Sequence, residues 1–425
     1  MIGADLVIDH CGTLLTLSGP AGPRRGRDMS RLGAASPGAV AMLDGRVVAA
    51  GERDRVLSSV QPSSDAVSID AGGRLVLPGF VDPHTHAVFP RYRSWEYEAR
   101  VGGKSYLEIT REGGGIGSSV RDLRSLSERD LLERSRARLA ECLALGTTTI
   151  EIKSGYGLSL ESELKMLRVI DELARAGPMR VVSTFLGAHH LPEEYEGRRR
   201  EYVDLVIETM IPRVAQQGLA AFNDVFCDTG FFDLEESRRV LEAGIRHGLA
   251  PKIHADELEE LGGAALAAEL GAVSADHLSK TGPAGMDALA RSNTLAVLLP
   301  GTSFGLASKD FPDARPFIER GVAVALATDF NPGSSACQSM QAVIGLACSL
   351  MGMSPAEAIT AATHNAACAM GLGGEAGSLE PGRRGDALVL DVEDFREVPY
   401  RFGKNHVHVV VAAGRLLSGL DSPQR

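Results

Sequence analysis

Leu75-Val76-Leu77-Pro78-Gly79-Phe80-Val81-Asp82-Pro83-His84-Thr85-His86 is an apolar run that ends abruptly in acidic and imidazole side chains. The same pattern recurs down the chain. Further apolar runs lie at 147–152, 180–185, 220–226, 250–253, 272–275, 295–299 and 322–327, which with 75–81 makes eight. Between several of them the apolar residues recur every three or four positions, as in 127–145 and 158–175, the period of an amphipathic helix. Short runs with no polar alternation suit strands buried on both faces, and strands alternating with helices suit a parallel sheet. The sequence therefore predicts an α/β fold, a (β/α)8 TIM-like barrel over residues 74–372. An open doubly wound sheet competes with it on pattern alone.

Outward from the barrel, both chain ends read as β-structure. Val40-Ala41-Met42-Leu43, Asp44-Gly45 and Val47-Val48-Ala49 predict a hairpin, because Asp-Gly suits the positive φ angles of a tight turn. Strands are also expected at 387–390 and 407–412, after a helix at 354–371 opened by Ser354-Pro355-Ala356-Glu357. Residues 1–73 and 373–425 together are expected to form a small β-sandwich domain, with 18–38 as a solvated loop.

The residues after each run carry the chemistry. They are Asp82, His84 and His86; Lys153 and Tyr156; His189 and His190; Asp228; His254, Asp256 and Glu257; Asp276 and His277; Thr302 and Ser303; Asp329 and Asn331. In a barrel all these strand ends open on one face, the face that carries the active site. In an extended segment His84 and His86 point the same way, so both imidazoles can reach one ion. An isolated H-x-H is weak evidence. With His254 and Asp329 at later strand ends it predicts a metal centre of His84, His86, His254 and Asp329. Reading each instead as a packed histidine or a capping aspartate requires the same coincidence four times on one face. Three imidazoles and a carboxylate suit one divalent metal per chain, Zn2+ or Fe2+, and leave room for water.

The net charge is −11 over 425 residues, which argues against nucleic-acid or anionic-membrane partners. An anionic substrate then needs a local cation. The six cysteines are scattered with no C-x-x-C pair, as expected of reduced thiols. Met1-Ile2-Gly3-Ala4-Asp5 has no basic stretch leading into an apolar one, and no apolar run is long enough to span a bilayer. A soluble, cytoplasmic protein is expected.

Pro78-Gly79-Phe80-Val81-Asp82-Pro83-His84-Thr85-His86 resembles the opening motif of the amidohydrolase superfamily, and Gly377-Ser378-Leu379-Glu380-Pro381-Gly382-Arg383-Arg384-Gly385-Asp386-Ala387 its return into the β unit. The closer resemblance is to the imidazolonepropionase family. It rests on residues 84–89 with Arg93, Gly113-Gly114-Gly115-Ile116, Lys153-Ser154-Gly155-Tyr156-Gly157, Phe185-Leu186-Gly187-Ala188-His189, His254-Ala255-Asp256-Glu257, Ser274-Ala275-Asp276-His277, and Ala327-Thr328-Asp329-Phe330-Asn331-Pro332-Gly333-Ser334. That resemblance implies hydrolytic ring opening of 4-imidazolone-5-propanoate to N-formimidoyl-L-glutamate in histidine degradation, by metal-activated water. It implies the same four metal ligands, His84, His86, His254 and Asp329. It also implies that Arg93 holds the propanoate, that Tyr156, His189, Glu257, Asn331, Gly333 and Ser334 bind substrate, and that Glu257, His277 and Asp329 are catalytic. A homodimer is usual among similar proteins.

The chain departs from that family at Pro90 and Arg91, where a Gly-Gly pair is common. Arg91 is thus a rival to Arg93 for the carboxylate, as His190 is to His189. Another cyclic amide hydrolase of the superfamily, or a nucleobase-type deaminase, is the alternative function, and a non-catalytic relative is disfavoured because all four ligands are present. The glycine triple lacks the Gly-Lys-Ser/Thr ending of a phosphate loop and reads as a loop over the barrel mouth. His364-Asn365 is read as packing or capping, and His406 and His408 as part of the β unit.

Overall fold

The structure is a computed structural model that describes residues 1–104 and 106–417. Its centre is a sheet of eight parallel strands in sequential order: β1 (Phe80–Asp82), β2 (Thr147–Lys153), β3 (Arg180–Ala188), β4 (Phe222–Cys227), β5 (Ala250–Ala255), β6 (Ser274–His277), β7 (Leu295–Leu298) and β8 (Val324–Leu326). Helices such as Glu128–Ala144, Leu160–Ala176 and Leu234–Arg246 lie between them, each begun by a capping side chain, from Ser127, Ser159 and Asp233. The expected barrel is therefore present, and the doubly wound alternative is not.

The seam between β8 and β1 is joined just past the strand ends. The Asp329 N–H donates to the His84 carbonyl at 3.1 Å, and the His86 N–H donates to the Phe330 carbonyl at 2.8 Å. Asp82 adds a side-chain clasp, accepting from the Thr328 N–H (3.1 Å) and hydroxyl (2.5 Å). Burial pushes the Asp82 carboxyl up to about 7.

Two smaller sheets lie face to face beside the barrel. One has four strands, with Arg46–Glu52, Gly38–Leu43, Ile2–Cys11 and Val60–Asp70 in that order. The other has six, including Ala387–Leu390, Leu75–Pro78 and Thr13–Leu15 from widely separated parts of the chain. Leu6, Ile8, Val40 and Met42 of the first meet Leu14, Val76, Val389 and Val411 of the second in one buried cluster, which makes the expected sandwich. The Asp44-Gly45 turn has φ of 50° and 78°, as its sequence predicts. Residues 418–425 of the expected C-terminal part lie outside the described residues.

Two expectations change, and a third gains detail. The run 75–81 is two strands, one in the sandwich and one in the barrel. The chain turns at Gly79, where a Cβ would stand 2.1 Å from Thr148 Oγ1. The helix expected over 354–371 is two pieces, Pro355–Ala361 and His364–Cys368. Between them the Ala362 carbonyl accepts from the Val81 N–H of the barrel rather than from its own helix. The expected solvated loop is mostly exposed, as read, but it is anchored at a few buried points. Met29 and Leu32 are buried, and Asn365 exchanges hydrogen bonds with the Arg24 backbone at 2.8 and 2.9 Å. His364 reaches the Gly22 carbonyl at 2.9 Å, so the His364-Asn365 pair does tie structure together. No described helix is long and apolar enough to cross a membrane.

Candidate active site

Each barrel strand ends at the mouth, and the side chains just past the ends meet there. His84 and His86 follow β1. His84 Nε2 lies 3.6 Å and His86 Nε2 3.5 Å from Asp329 Oδ1, which enters from β8 across the seam. His254, in β5, brings its Nε2 to 3.5 Å from that of His86. His84, His254 and His277 also present donor atoms within 4.8 Å of one another, so His277 stands at the same centre. His84 Nε2 and His277 Nε2 are buried with no hydrogen-bond partner among the described residues. Orphaned buried nitrogens of this kind, in a set of imidazoles and one carboxylate, fit a divalent cation.

The orienting partners lie below the histidines. Asp276 Oδ2 stands 2.6 Å from His84 Nδ1, and Asp224 is 3.1 Å from His254 Nδ1. These bonds place the ring hydrogen on Nδ1 and leave Nε2 as the donor atom for a metal. Lys153, which the strand-end pattern singled out, does not face the mouth. It is buried in the barrel with Nζ 2.8 Å from Asp224, 2.6 Å from Glu151 and 3.6 Å from Asp276. Lys252 closes the network on Glu151 and on the Pro83 carbonyl. Buried charges of one sign alone would be costly, and here each has an opposite partner. Against the opposing effect of burial, His254 and Lys153 hold Asp224 well below the usual carboxylate range, and Asp224 and Glu151 hold Lys153 above that of lysine. Burial holds His84, His86 and His277 well below the usual imidazole range, which keeps them neutral as ligation requires.

A cavity of about 690 Å3 opens on this centre. His86, His254, His277 and Asp329 line its floor, with Glu257 beside them, and Arg93, Arg100, Tyr156, His189, Asn331, Gly333 and Ser334 line it elsewhere. All the sequence-predicted site residues except the innermost, His84, therefore border one space. Glu257 Oε2 is 3.6 Å from His277 Nδ1, and burial, with Asp329 and Asp228 nearby, holds its carboxyl well above the usual range. His277 and Asp329 have φ of 79° and 50°, a backbone region that non-glycine residues seldom adopt and that functional residues often do.

Several strand-end residues serve the loops instead. Asp228 accepts from the N–H groups of Glu257 and Leu258 at 2.8 Å, fixing the segment that carries Glu257. Asp256 similarly caps the start of the helix Gly263–Glu269. Asn331 is turned inward. Its oxygen accepts from the N–H groups of Gly333 and Ser334 at 2.8 Å, and its amide donates to the Asp329 carbonyl at 2.7 Å. His189 Nδ1 lies 2.9 Å from the Gly155 carbonyl, and burial pushes its imidazole down to about 3. His190 lines the same cavity, with its ring against Phe231. Arg91 is excluded from the cavity, since its exposed guanidinium is paired with Asp122 at 2.6 Å. The sequence reading missed Arg100, Glu96 and Asp224. The first two follow Arg93 at intervals of three and four residues, a helical spacing that would have placed all three on one face.

A closed eight-stranded barrel with a His/Asp centre at its mouth and a flanking β-sandwich defines a class of metal-dependent hydrolase. Residues 75–417 match the amidohydrolase family, to which the chain belongs. Among solved structures, 5-methylcytosine deaminase from Klebsiella pneumoniae has a TM-score of 0.72 at 16% identity, covering 100% of this chain and 99% of that one. An adenosine deaminase from Xanthomonas campestris with bound zinc has a TM-score of 0.71 at 18% identity, covering 98% and 93%. At such identities the likeness is one of fold. Imidazolonepropionase from Symbiobacterium thermophilum is 49% identical over 97% of both chains, and that from Brevibacillus brevis 47% over 96% of this chain and 97% of its own. Within the amidohydrolases, then, the chain belongs to the imidazolonepropionase family.

Proposed function

We propose that the chain hydrolyses 4-imidazolone-5-propanoate to N-formimidoyl-L-glutamate, the ring-opening step of histidine degradation. The observation that supports this best is the cavity itself, which joins the His/Asp centre to two arginines, Arg93 and Arg100. A planar ring with a carboxylate arm needs both ends. A neutral nucleobase, the substrate of the deaminase alternative, has no carboxylate for the guanidinium fork of Arg93 to receive.

His84, His86, His254 and Asp329 would hold one divalent metal, Zn2+ or Fe2+. Such an ion lowers the pKa of water and polarises the carbonyl to be attacked. Arg93 binds the propanoate through its guanidinium fork, and Tyr156 and His189 flank the ring. Asn331 shapes the loop that presents Gly333 and Ser334 to substrate. Asp329 and His277 orient the attacking water and take its proton. Glu257, kept protonated by burial, delivers a proton to the ring nitrogen as its bond to the former carbonyl carbon breaks. Water oxygen ends in the new carboxylate. The free thiols suit a reducing, cytoplasmic setting, and a homodimer is the assembly we propose.

The test is to mix purified, metal-analysed protein with freshly made imidazolone propanoate and follow loss of the ring's ultraviolet absorbance. Rapid decay, abolished by chelation and restored by metal, is expected. Inertness of the metal-loaded protein towards this substrate, with turnover of a neutral ring amine, would transfer the assignment to a deaminase.

A further inference from the structure

The proposed substrate carboxylate needs an arginine fork held in one orientation, and the surroundings of Arg93 show how that is achieved. Arg93 occupies the N-cap position of the helix Ser94–Val101 and is almost wholly buried. One turn on, Glu96 is fully buried, with Oε1 2.9 Å from Arg93 Nε and Oε2 3.9 Å from Arg100 Nη1. The same Oε1 accepts the backbone N–H of Gly115 at 2.8 Å. Gly115 begins the helix Gly115–Ser125, whose positive end thus faces the Glu96 carboxylate. One turn into that helix, Ser119 accepts from Arg93 Nη1 at 2.7 Å. On the other side Arg93 Nη2 lies so close over Gly333 that a Cβ there would stand 1.8 Å away.

This arrangement also explains the glycine triple, which no chemistry has yet claimed. A Cβ on Gly114 would be 2.9 Å from the Ile109 carbonyl and 3.0 Å from Glu96 Oε1, and Gly115 has φ of 70°. A side chain on Gly114 would crowd Glu96, and one on Gly115 would strain the backbone that carries the N–H to it.

We propose that Glu96 is a positioning residue for substrate recognition: it locks the Arg93 guanidinium, with Arg100 and the Gly113-Gly114-Gly115 turn, into the orientation that receives the substrate carboxylate. The proposal rests on the proposed ring-opening function. An arginine pre-set in this way loses little side-chain freedom on binding. It touches neither the reacting ring nor the metal centre, so its effect belongs in binding of the acid arm.

The test compares wild-type holoenzyme with Glu96→Gln and Glu96→Asp on two substrates, imidazolone propanoate and the neutral propanamide analogue. Gln keeps the shape and removes the charge, whereas Asp keeps the charge and shortens the reach. With both variants the KM for the acid should rise about ten-fold, the scale of losing a charge-assisted bond, with a much smaller change in kcat. The preference for acid over amide should fall by the same factor. Metal content per chain, measured directly, should not change. A lower KM with Glu96→Gln, as simple removal of a negative charge near an anion site would give, overturns the proposal. So does an equal loss on both substrates, which marks a merely structural role. Wild-type enzyme active on the acid with unchanged variants defeats this inference alone. Wild-type enzyme inert on the acid defeats the ring-opening function and this inference with it.

Discussion

Asp276 and Asp224 do not line the cavity, yet each fixes one imidazole of the proposed metal centre. Asp276 faces His84 Nδ1 at 2.6 Å and Asp224 faces His254 Nδ1 at 3.1 Å. Carboxylates in this position raise ligand basicity and hold the ring plane, and losing one typically costs about 10–100-fold in metal affinity. Asp276→Asn should weaken metal binding on that scale, as read by competition with a chromophoric chelator. Unaltered affinity would assign Asp276 to the lysine network alone. Glu257 differs, because it lines the cavity and stands beside His277 without a place in the ligand set. Glu257→Gln keeps the shape and removes the transferable proton. Turnover should fall at least about 100-fold, the usual scale for a general acid or base, with metal content intact. A fully active Gln variant would remove Glu257 from the mechanism.

Among the elements, the short helix Pro355–Ala361 offers a test of local electrostatics far from the cavity. Glu357 closes a capping box with Ser354 and forms a two-pronged pair with Arg315 at 2.6 and 3.1 Å. Burial opposes ionisation there, but Arg315 and the Ser354 N–H prevail and hold Glu357 below the usual glutamate value of 4.5. A depressed folded pKa stabilises the protein above the unfolded value, and that stability is lost as pH falls through the folded one. Glu357→Gln should therefore cost about 1–2 kcal/mol at pH 7, shrinking below about pH 4.5. Urea unfolding at the two pH values reads the difference, and a penalty equal at both would refute the ion pair as its source. The start of this helix was legible in Ser354-Pro355, because capping is local chemistry. Its break at Ala362 was not, because the Val81 N–H that claims the carbonyl lies far away in sequence. The division of 75–81 at Gly79 was hidden for the same reason. Both halves are buried and apolar, and only the approach of Thr148 requires the glycine. Of the site, the strand-end histidines and Asp329 were legible because a barrel gathers strand ends on one face. Lys153 misled, since a residue at a strand end can equally point down into the barrel.

For the whole molecule, the seam between β8 and β1 is where the proposed metal binding would act on stability. Three of the proposed ligands flank it, His84 and His86 on one side and Asp329 on the other, and each takes part in a backbone bond that joins it, His84 with Asp329 and His86 with Phe330. An ion held by all three would act as a clip across the one place where the barrel must close, while elsewhere neighbouring strands are held by full parallel ladders. A ligand present at a thousand times its Kd adds about 4 kcal/mol, which for a chain of this length is a Tm change of roughly 4–5 °C. Removing the metal with a chelator should lower Tm on that scale. It should also raise amide hydrogen exchange at His86 and Asp329 well above the change at the β3–β4 ladder. An exchange increase spread evenly over all eight strands would mean that the metal stabilises the barrel without closing it. An unchanged Tm with full loss of activity would mean that the ligand residues alone hold the seam, with Asp82 and Thr328 as its clasp.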